Sequence, residues 1–220
     1  MASAVDICNI GLSSLGAEAQ VAAINPPDGS VEAGYCARFY PIARKELLEA
    51  HAWSFAKKRV ELAEVTNTST VWEYAYALPS DCLRALRVLS LQTLVDAGLS
   101  YPAGVYSIDR LVIDEVFTER GSALFDIESG VLRTNEPEAM LLYTYDVTDT
   151  TKFTAKVVVA LGMLMAGYLA GPIIKGLEGA RAGAQWRQAA MNAIATAAAS
   201  DANSSYETAT HAAEQLRARA

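Results

Sequence analysis

The chain has 220 residues, 52% hydrophobic and 20% charged, so it is long enough to bury a core and too apolar to stay disordered. Its 18 Lys and Arg stand against 25 Asp and Glu, for a net charge of −7, which argues against a surface built to grip nucleic acid and gives a wall that repels a passing duplex. Cys8, Cys36 and Cys82 show no C-x-x-C spacing and the only histidines are His51 and His211, which argues against a zinc site or a disulfide framework and for reduced thiols.

The first residues lack the basic and apolar regions of a signal peptide, so assembly in the cytoplasm is expected. Ser3 followed by Asp6 predicts a capping box opening a helix over about 4–15, which Gly16 stops. Gly11 to Gly16 is no phosphate loop, because no Gly-Lys-Ser/Thr follows it. Asn25-Pro-Pro-Asp-Gly29 is a loop signal, and Ser30 then caps a second helix predicted over about 31–52. Its apolar face is expected to comprise Val31, Tyr35, Phe39 and Ile42 with Cys36, Ala43, Leu47 and Ala50. Arg38, Lys45 and Glu49 fall on the opposite side and are candidates for a protein interface. Pro41 is expected to kink the helix.

After Trp53 the periodicity changes to that of strands. Val60 and Leu62 share one face while Arg59 and Glu61 share the other. Further strands are predicted over Trp72–Leu83, Leu83–Leu91, Tyr106–Val116, Ser122–Ile127, Val131–Thr134 and Met140–Val147, with Glu128-Ser-Gly130 as a hairpin connection. Asp81, after Leu78-Pro79-Ser80, is expected to accept from backbone donors of its own turn.

Phe153, Val157, Leu161, Leu164 and Tyr168 return to helical spacing, in a helix expected to end at Gly171-Pro172. Val157–Ile174 carries no charge and is long enough to be weighed as a membrane span. Gly162, Ala166 and Ala170 repeat every four residues, a face that admits a close helix neighbour. A buried bundle helix without stable membrane insertion is therefore expected. A last alanine-rich helix is predicted over about 175–200, with Trp186, a candidate core or interface anchor, Ala190 and Ile194 on one side, and Asp201-Ala-Asn-Ser-Ser205 is expected to interrupt it. The predicted class is α+β: segments 1–53 and 148–203 build one helical bundle around an inserted antiparallel β domain at 54–147, either a small sheet or an open barrel. Residues 204–220 are expected to form an arm, with Tyr206, Leu216 and Arg217 as candidate contacts to another subunit.

No residue is assigned to catalysis, a cofactor or a metal. Asp114 with Glu115 and Asp146 with Asp149 are acidic pairs without a histidine partner or oxyanion motif. Arg38, Arg44, Lys45, Lys57, Lys58 and Arg59 form a basic run that in an oligomer can pair with a neighbour's Asp or Glu.

The most informative stretch is 35–91. The helix from Tyr35 runs to Trp53, then Ser54-Phe-Ala-Lys-Lys-Arg-Val-Glu-Leu62 alternates, and Trp72-Glu-Tyr-Ala-Tyr-Ala-Leu-Pro-Ser-Asp-Cys-Leu83 closes an aromatic strand on Leu-Pro-x-Asp. That order resembles the tail tubular protein A, or head-to-tail adaptor, family of short-tailed bacteriophages. The likeness extends through Tyr106–Asp114 and Leu142–Asp149 and covers most of the chain. It implies a structural virion protein at the head–tail junction, in a ring of about twelve copies. Such a ring sits beneath the portal protein, with the tail nozzle docked below. Double-stranded DNA leaves through its channel without sequence-specific binding. Two other classes fit the residues: a membrane-interacting phage lysis or ejection protein using Val157–Ile174, and a wall-degrading hydrolase using a carboxylate pair in a cleft.

Overall fold

Ser3 opens the first helix by the reciprocal geometry its spacing to Asp6 predicts. In the computed structural model, which describes residues 2–18, 20–90 and 123–205, Asp6 N–H donates to Ser3 Oγ at 3.1 Å and Ser3 N–H donates to the Asp6 carboxylate at 2.8 Å. These bonds hold the Asp6 carboxyl below the usual range. The helix, α1, spans Ala4–Ser14, and Gly16 just beyond it adopts φ +73°, where a side chain would be strained. The predicted strand Tyr106–Val116, the acidic residues Asp109, Asp114 and Glu115, and the arm residues Tyr206, Leu216 and Arg217 lie outside the described residues.

Helix α2 spans Val31–Ala50 and runs through Pro41, with Ser30 Oγ accepting from Ala33 N–H at 3.1 Å. Its buried residues are Ala33, Cys36, Tyr40, Ala43, Arg44, Leu47 and Leu48, whereas Val31 is 66% and Ile42 49% exposed and Ala50 is exposed. The expected apolar face was too wide. Helix α3 (Ala155–Ile174) is the main neighbour of α2, and a single neighbour covers only a narrow arc.

Trp53 is fully buried and donates from Nε1 to the Leu47 carbonyl at 2.8 Å. Phe55 stacks on Trp53 and meets Phe153 at 5.6 Å between centroids, so aromatic rings link the point where the chain leaves the helices to the point where it returns.

The described residues of the β region form β1 (Lys57–Glu61), β2 (Tyr74–Ala77), β3 (Cys82–Ser90), β4 (Phe125–Glu128), β5 (Val131–Thr134) and β6 (Ala139–Tyr145). All pairings are antiparallel, in two three-stranded sheets ordered β1-β6-β3 and β2-β5-β4. Residues of both sheets share one core of Leu62, Tyr76, Val88, Leu132, Ala139, Leu141 and Tyr143. Ser129 and Gly130, at φ 52° and 77°, make the two-residue turn of the β4–β5 hairpin. Two register shifts in β3 set Arg84 opposite Thr144 and Arg87 opposite Leu142, so residues three apart share a face that simple alternation would separate.

Thr154 caps α3, which packs against α1, α2 and the last helix, α4 (Gly176–Ser205). Two of these contacts depend on glycine. A Cβ on Gly11 would lie 2.9 Å from Met165 Cβ, and one on Gly179 would lie 2.9 Å from the Ala170 carbonyl oxygen. The face expected from Gly162, Ala166 and Ala170 thus serves two partners, α1 beside Gly162 and Ala166 and α4 beside Ala170.

Two helix ends differ from expectation. Pro172 lies within the last turn of α3, which ends only where Lys175 (φ 63°) and Gly176 (φ 60°) turn left-handed. Helix α4 runs on through Asp201 to Ser205, because Asp201 finds partners across the bundle.

Among the described residues there are four α-helices and two small antiparallel sheets, an α+β fold. The chain divides into two compact units, the described residues of Met1–Phe55 with Thr148–Ala220, and of Ala56–Val147.

Candidate interaction surfaces

Asp201 on α4 is held by a residue of the helical unit far away in the chain. It accepts from Ser54 N–H at 2.8 Å and from Ser54 Oγ at 2.6 Å, while His51 Nε2 lies 3.8 Å away. Serine, histidine and aspartate therefore meet, but not as a nucleophile with its base. The hydroxyl donates directly to the carboxylate, which is not the nucleophile–base hydrogen bond of a triad. The arrangement caps the 3-10 turn Ser54–Ala56 and ties it to α4.

In the β unit the corresponding cluster surrounds Asp81. Lys58 Nζ donates to one carboxylate oxygen at 2.6 Å and Tyr143 OH to the other at 2.9 Å, and Lys58 also lies 4.0 Å over the Tyr145 ring. Burial raises the Asp81 pKa, but the bonds from Lys58 and Tyr143 outweigh it and leave the carboxyl lowered. Burial and the Asp81 contact push Tyr143 up. Asp81 accepts from the backbone of its own turn, as expected, and in addition ties β1 and β6 through Lys58 and Tyr143. Tyr168 donates to Glu46 at 2.6 Å, and burial together with that bond pushes its pKa up to about 12. Cys8 and Cys36, both buried, are hydrogen-bonded across α1 and α2, which with burial raises the Cys8 thiol.

Arg38, Lys45 and Glu49 are exposed on one side of α2, and Trp186 is half-buried on α4. The basic run divides between elements: Arg38, Arg44 and Lys45 belong to α2 of one unit, Lys57, Lys58 and Arg59 to β1 of the other. Arg44 is buried with its guanidinium 5.9 Å from the Tyr40 ring centroid, so it serves the core. Asp149 accepts from Thr151 N–H and Oγ1 as a cap, and Asp146 N–H donates to the Asp81 carbonyl. An open depression of about 630 Å³ lies along α1, lined by Asp6, Asn9, Ile10, Ser13, Ser14 and Gln20. Its one carboxylate, Asp6, is engaged in capping. Among the described residues no three His, Cys, Asp or Glu side chains gather as a metal-holding set.

The β unit has features that sequence alone did not single out. Strands β1 and β4 are edges of their sheets among the described strands. Lys57, Lys58 and Glu61 are exposed on the first; Asp126, Ile127 and Glu128 are exposed on the second. The charges were visible in the sequence, but edge position depends on which distant strand takes the centre of each sheet.

Fold and surfaces define an α+β protein of two units whose polar clusters serve structure. No protein-family model matches the chain, and no curated protein matches it.

Proposed function

We propose that this chain is a structural head-to-tail adaptor of a short-tailed bacteriophage, working without enzymatic turnover. Copies assemble as a ring of about twelve between the portal protein and the tail nozzle, and the ring lines the channel through which the genome leaves. The observation that carries the reading is the order of elements over 35–90: helix α2 ending at Ala50 just before Trp53, the charged strand β1, then the aromatic strand β2 followed by Leu78-Pro79-Ser80-Asp81. It is supported by polar clusters around Asp81 and Asp201 that brace the fold instead of presenting a nucleophile with a base. A persistent ring needs more than about 1,000 Å² at each contact. Mass photometry of the protein with purified portal is the test. Rings or portal-bound rings are expected, and a species that stays monomeric and never joins the portal overturns the reading.

One observation favours a rival. Helix α3 has a mean hydropathy of 2.1 and is long enough to span a bilayer. To enter lipid it would have to leave α1, α2 and α4, which bury 61% of its apolar window. Flotation with liposomes separates the two, since an adaptor stays in the aqueous fraction.

A further inference from the structure

We propose that Cys8 and Cys36 form a latent disulfide, a buried dithiol that a small peroxide closes into a bond tying α1 to α2. The inference is independent of the ring reading above and concerns the helical unit alone.

Both residues are fully buried, Cys8 on α1 and Cys36 in the second turn of α2, and their thiols are hydrogen-bonded to each other across the two helices. A disulfide needs sulfurs that already meet, on backbones that do not have to move far. Neither thiol has another cysteine within its unit, since Cys82 belongs to the β unit. A buried free cysteine by itself behaves as a small hydrophobe. Sulfur facing sulfur is what separates this pair from simple packing.

The helices have room to be tied more firmly. Both α1 and α2 pack mainly on α3 and touch each other little. The segment that joins them is held by polar side chains. Asn9 exchanges bonds of 3.0 and 2.8 Å with the Val21 backbone, and the Asp28 carboxylate accepts from Ser30 N–H, Ser30 Oγ and Ala22 N–H. A bond from residue 8 to residue 36 closes a loop around this segment and restricts it in the unfolded chain, which is the main way a disulfide stabilises.

The chemistry follows from the hydrogen bond between the sulfurs. The Cys8 thiol donates to Cys36, which raises Cys8 and lowers Cys36, so Cys36 carries the thiolate character. Its thiolate attacks one peroxide oxygen, the O–O bond breaks, and Cys36 becomes a sulfenic acid as hydroxide leaves with the proton that Cys36 gave up. The Cys8 sulfur then attacks Cys36. The S–O bond breaks, the S–S bond forms, and the hydroxyl departs with the Cys8 proton as water. Two thiols thus lose two electrons, and one peroxide is reduced to two waters. A reducing compartment keeps the pair open, and outside one the bond persists. Because both sulfurs are buried, peroxide enters when α1 opens locally, so closure is slow in the native protein and faster in mild urea.

The test treats the full chain, freed of reductant, with hydrogen peroxide, natively and again in urea just below the unfolding transition. Thiol titration after unfolding should fall from three cysteines to one. The intact mass should drop by about 2 Da for the two hydrogens lost, and a peptide linking Cys8 to Cys36 should be recovered. The melting temperature should rise by at least about 5 °C and return on addition of a dithiol reductant. Cys82→Ser should behave as the wild type, whereas Cys8→Ala and Cys36→Ala should each yield no link and no rise. Three free thiols under both conditions overturn the proposal. Sulfinic or sulfonic acid at Cys36 without a link overturns it too, because the sulfurs are then out of reach of each other. So does a link through Cys82 or between chains. A Cys8–Cys36 link that leaves the melting temperature unchanged is a bond that ties nothing, and it sinks the proposal as well.

Discussion

Asp201 sits in an alanine-rich helix that has no local use for it, since aspartate is a poor interior helix former and competes for backbone hydrogen bonds. Its side chain is 8% exposed and takes both donors of Ser54. Asp201→Ala strands those donors and should cost about 1.5–3 kcal/mol, whereas Asp201→Asn keeps an acceptor and should cost less. Urea denaturation of the two variants checks the order, and equal losses would show that Ser54 finds other partners. Asp81 behaves differently because it is 35% exposed and faces Lys58 in solvent, where such pairs contribute roughly 0.2–1 kcal/mol. Its carboxyl is lowered in the folded state, so the folded protein holds this proton less tightly than the unfolded chain. The contribution is present above the unfolded value of about 3.9 and is lost as pH falls through the lower folded value. Asp81→Asn should flatten the part of the stability profile that falls away as pH drops below the unfolded value. An unchanged acid limb would assign it to other carboxylates.

At the scale of elements, α3 is held by neighbours that approach to backbone distance, so the same substitution should have opposite signs at two glycines. At Gly179 an added methyl lies 2.9 Å from the Ala170 carbonyl oxygen, which cannot rotate away, and Gly179→Ala should destabilise by about 1–3 kcal/mol. At Gly34, inside α2 and exposed, nothing stands within 4 Å. Gly34→Ala should therefore stabilise by about 0.4–1 kcal/mol through helix propensity and a less entropic unfolded chain. Thermal melts decide the signs, and a loss at both sites would refute the packing argument. Two helix starts were legible in the sequence because Ser3 and Ser30 act within four residues of the backbone they cap, whereas the cap at Thr154 was not singled out. The β4–β5 turn was legible for the same reason, through Glu128-Ser-Gly130. Helix ends and faces were not. Pro172 reads as a stop but falls in a turn that the left-handed Lys175–Gly176 pair closes later, and Asp201 reads as a break until Ser54, 147 residues away, is brought to it. Val31 and Ile42 look like core positions on α2 because the sequence does not reveal how narrow an arc α3 covers.

For the whole molecule, the question is whether the helical unit needs the β unit in order to fold. Its largest buried side chains include Ile7, Leu12, Leu47, Leu48, Trp53, Leu161, Leu164 and Met165, drawn from both sides of the insertion. The candidate interface residues were legible as exposed charge on α2 at Arg38, Lys45 and Glu49, but the edge strands were not, because β6 takes the centre of one sheet from about eighty residues away in sequence. That long-range pairing also brings the ends of the insertion together. Lys57 is opposite Thr144 in the β1–β6 ladder, so the chain enters and leaves the β unit on adjacent strands, where facing Cα atoms are about 4.5–5.5 Å apart. A short Gly-rich linker can therefore replace residues 57–144 without stretching, and the loop it closes is far shorter than the one it removes, which lowers the closure entropy. We expect the resulting chain to keep the helical circular dichroism of α1 to α4 and to unfold in one cooperative transition. Residues at the exit, Phe55 and Phe153, are in contact 5.6 Å apart within the helical unit and should hold the junction. A deletion chain that is expressed but lacks helical signal, or that melts without cooperativity, would show that the two units fold only together.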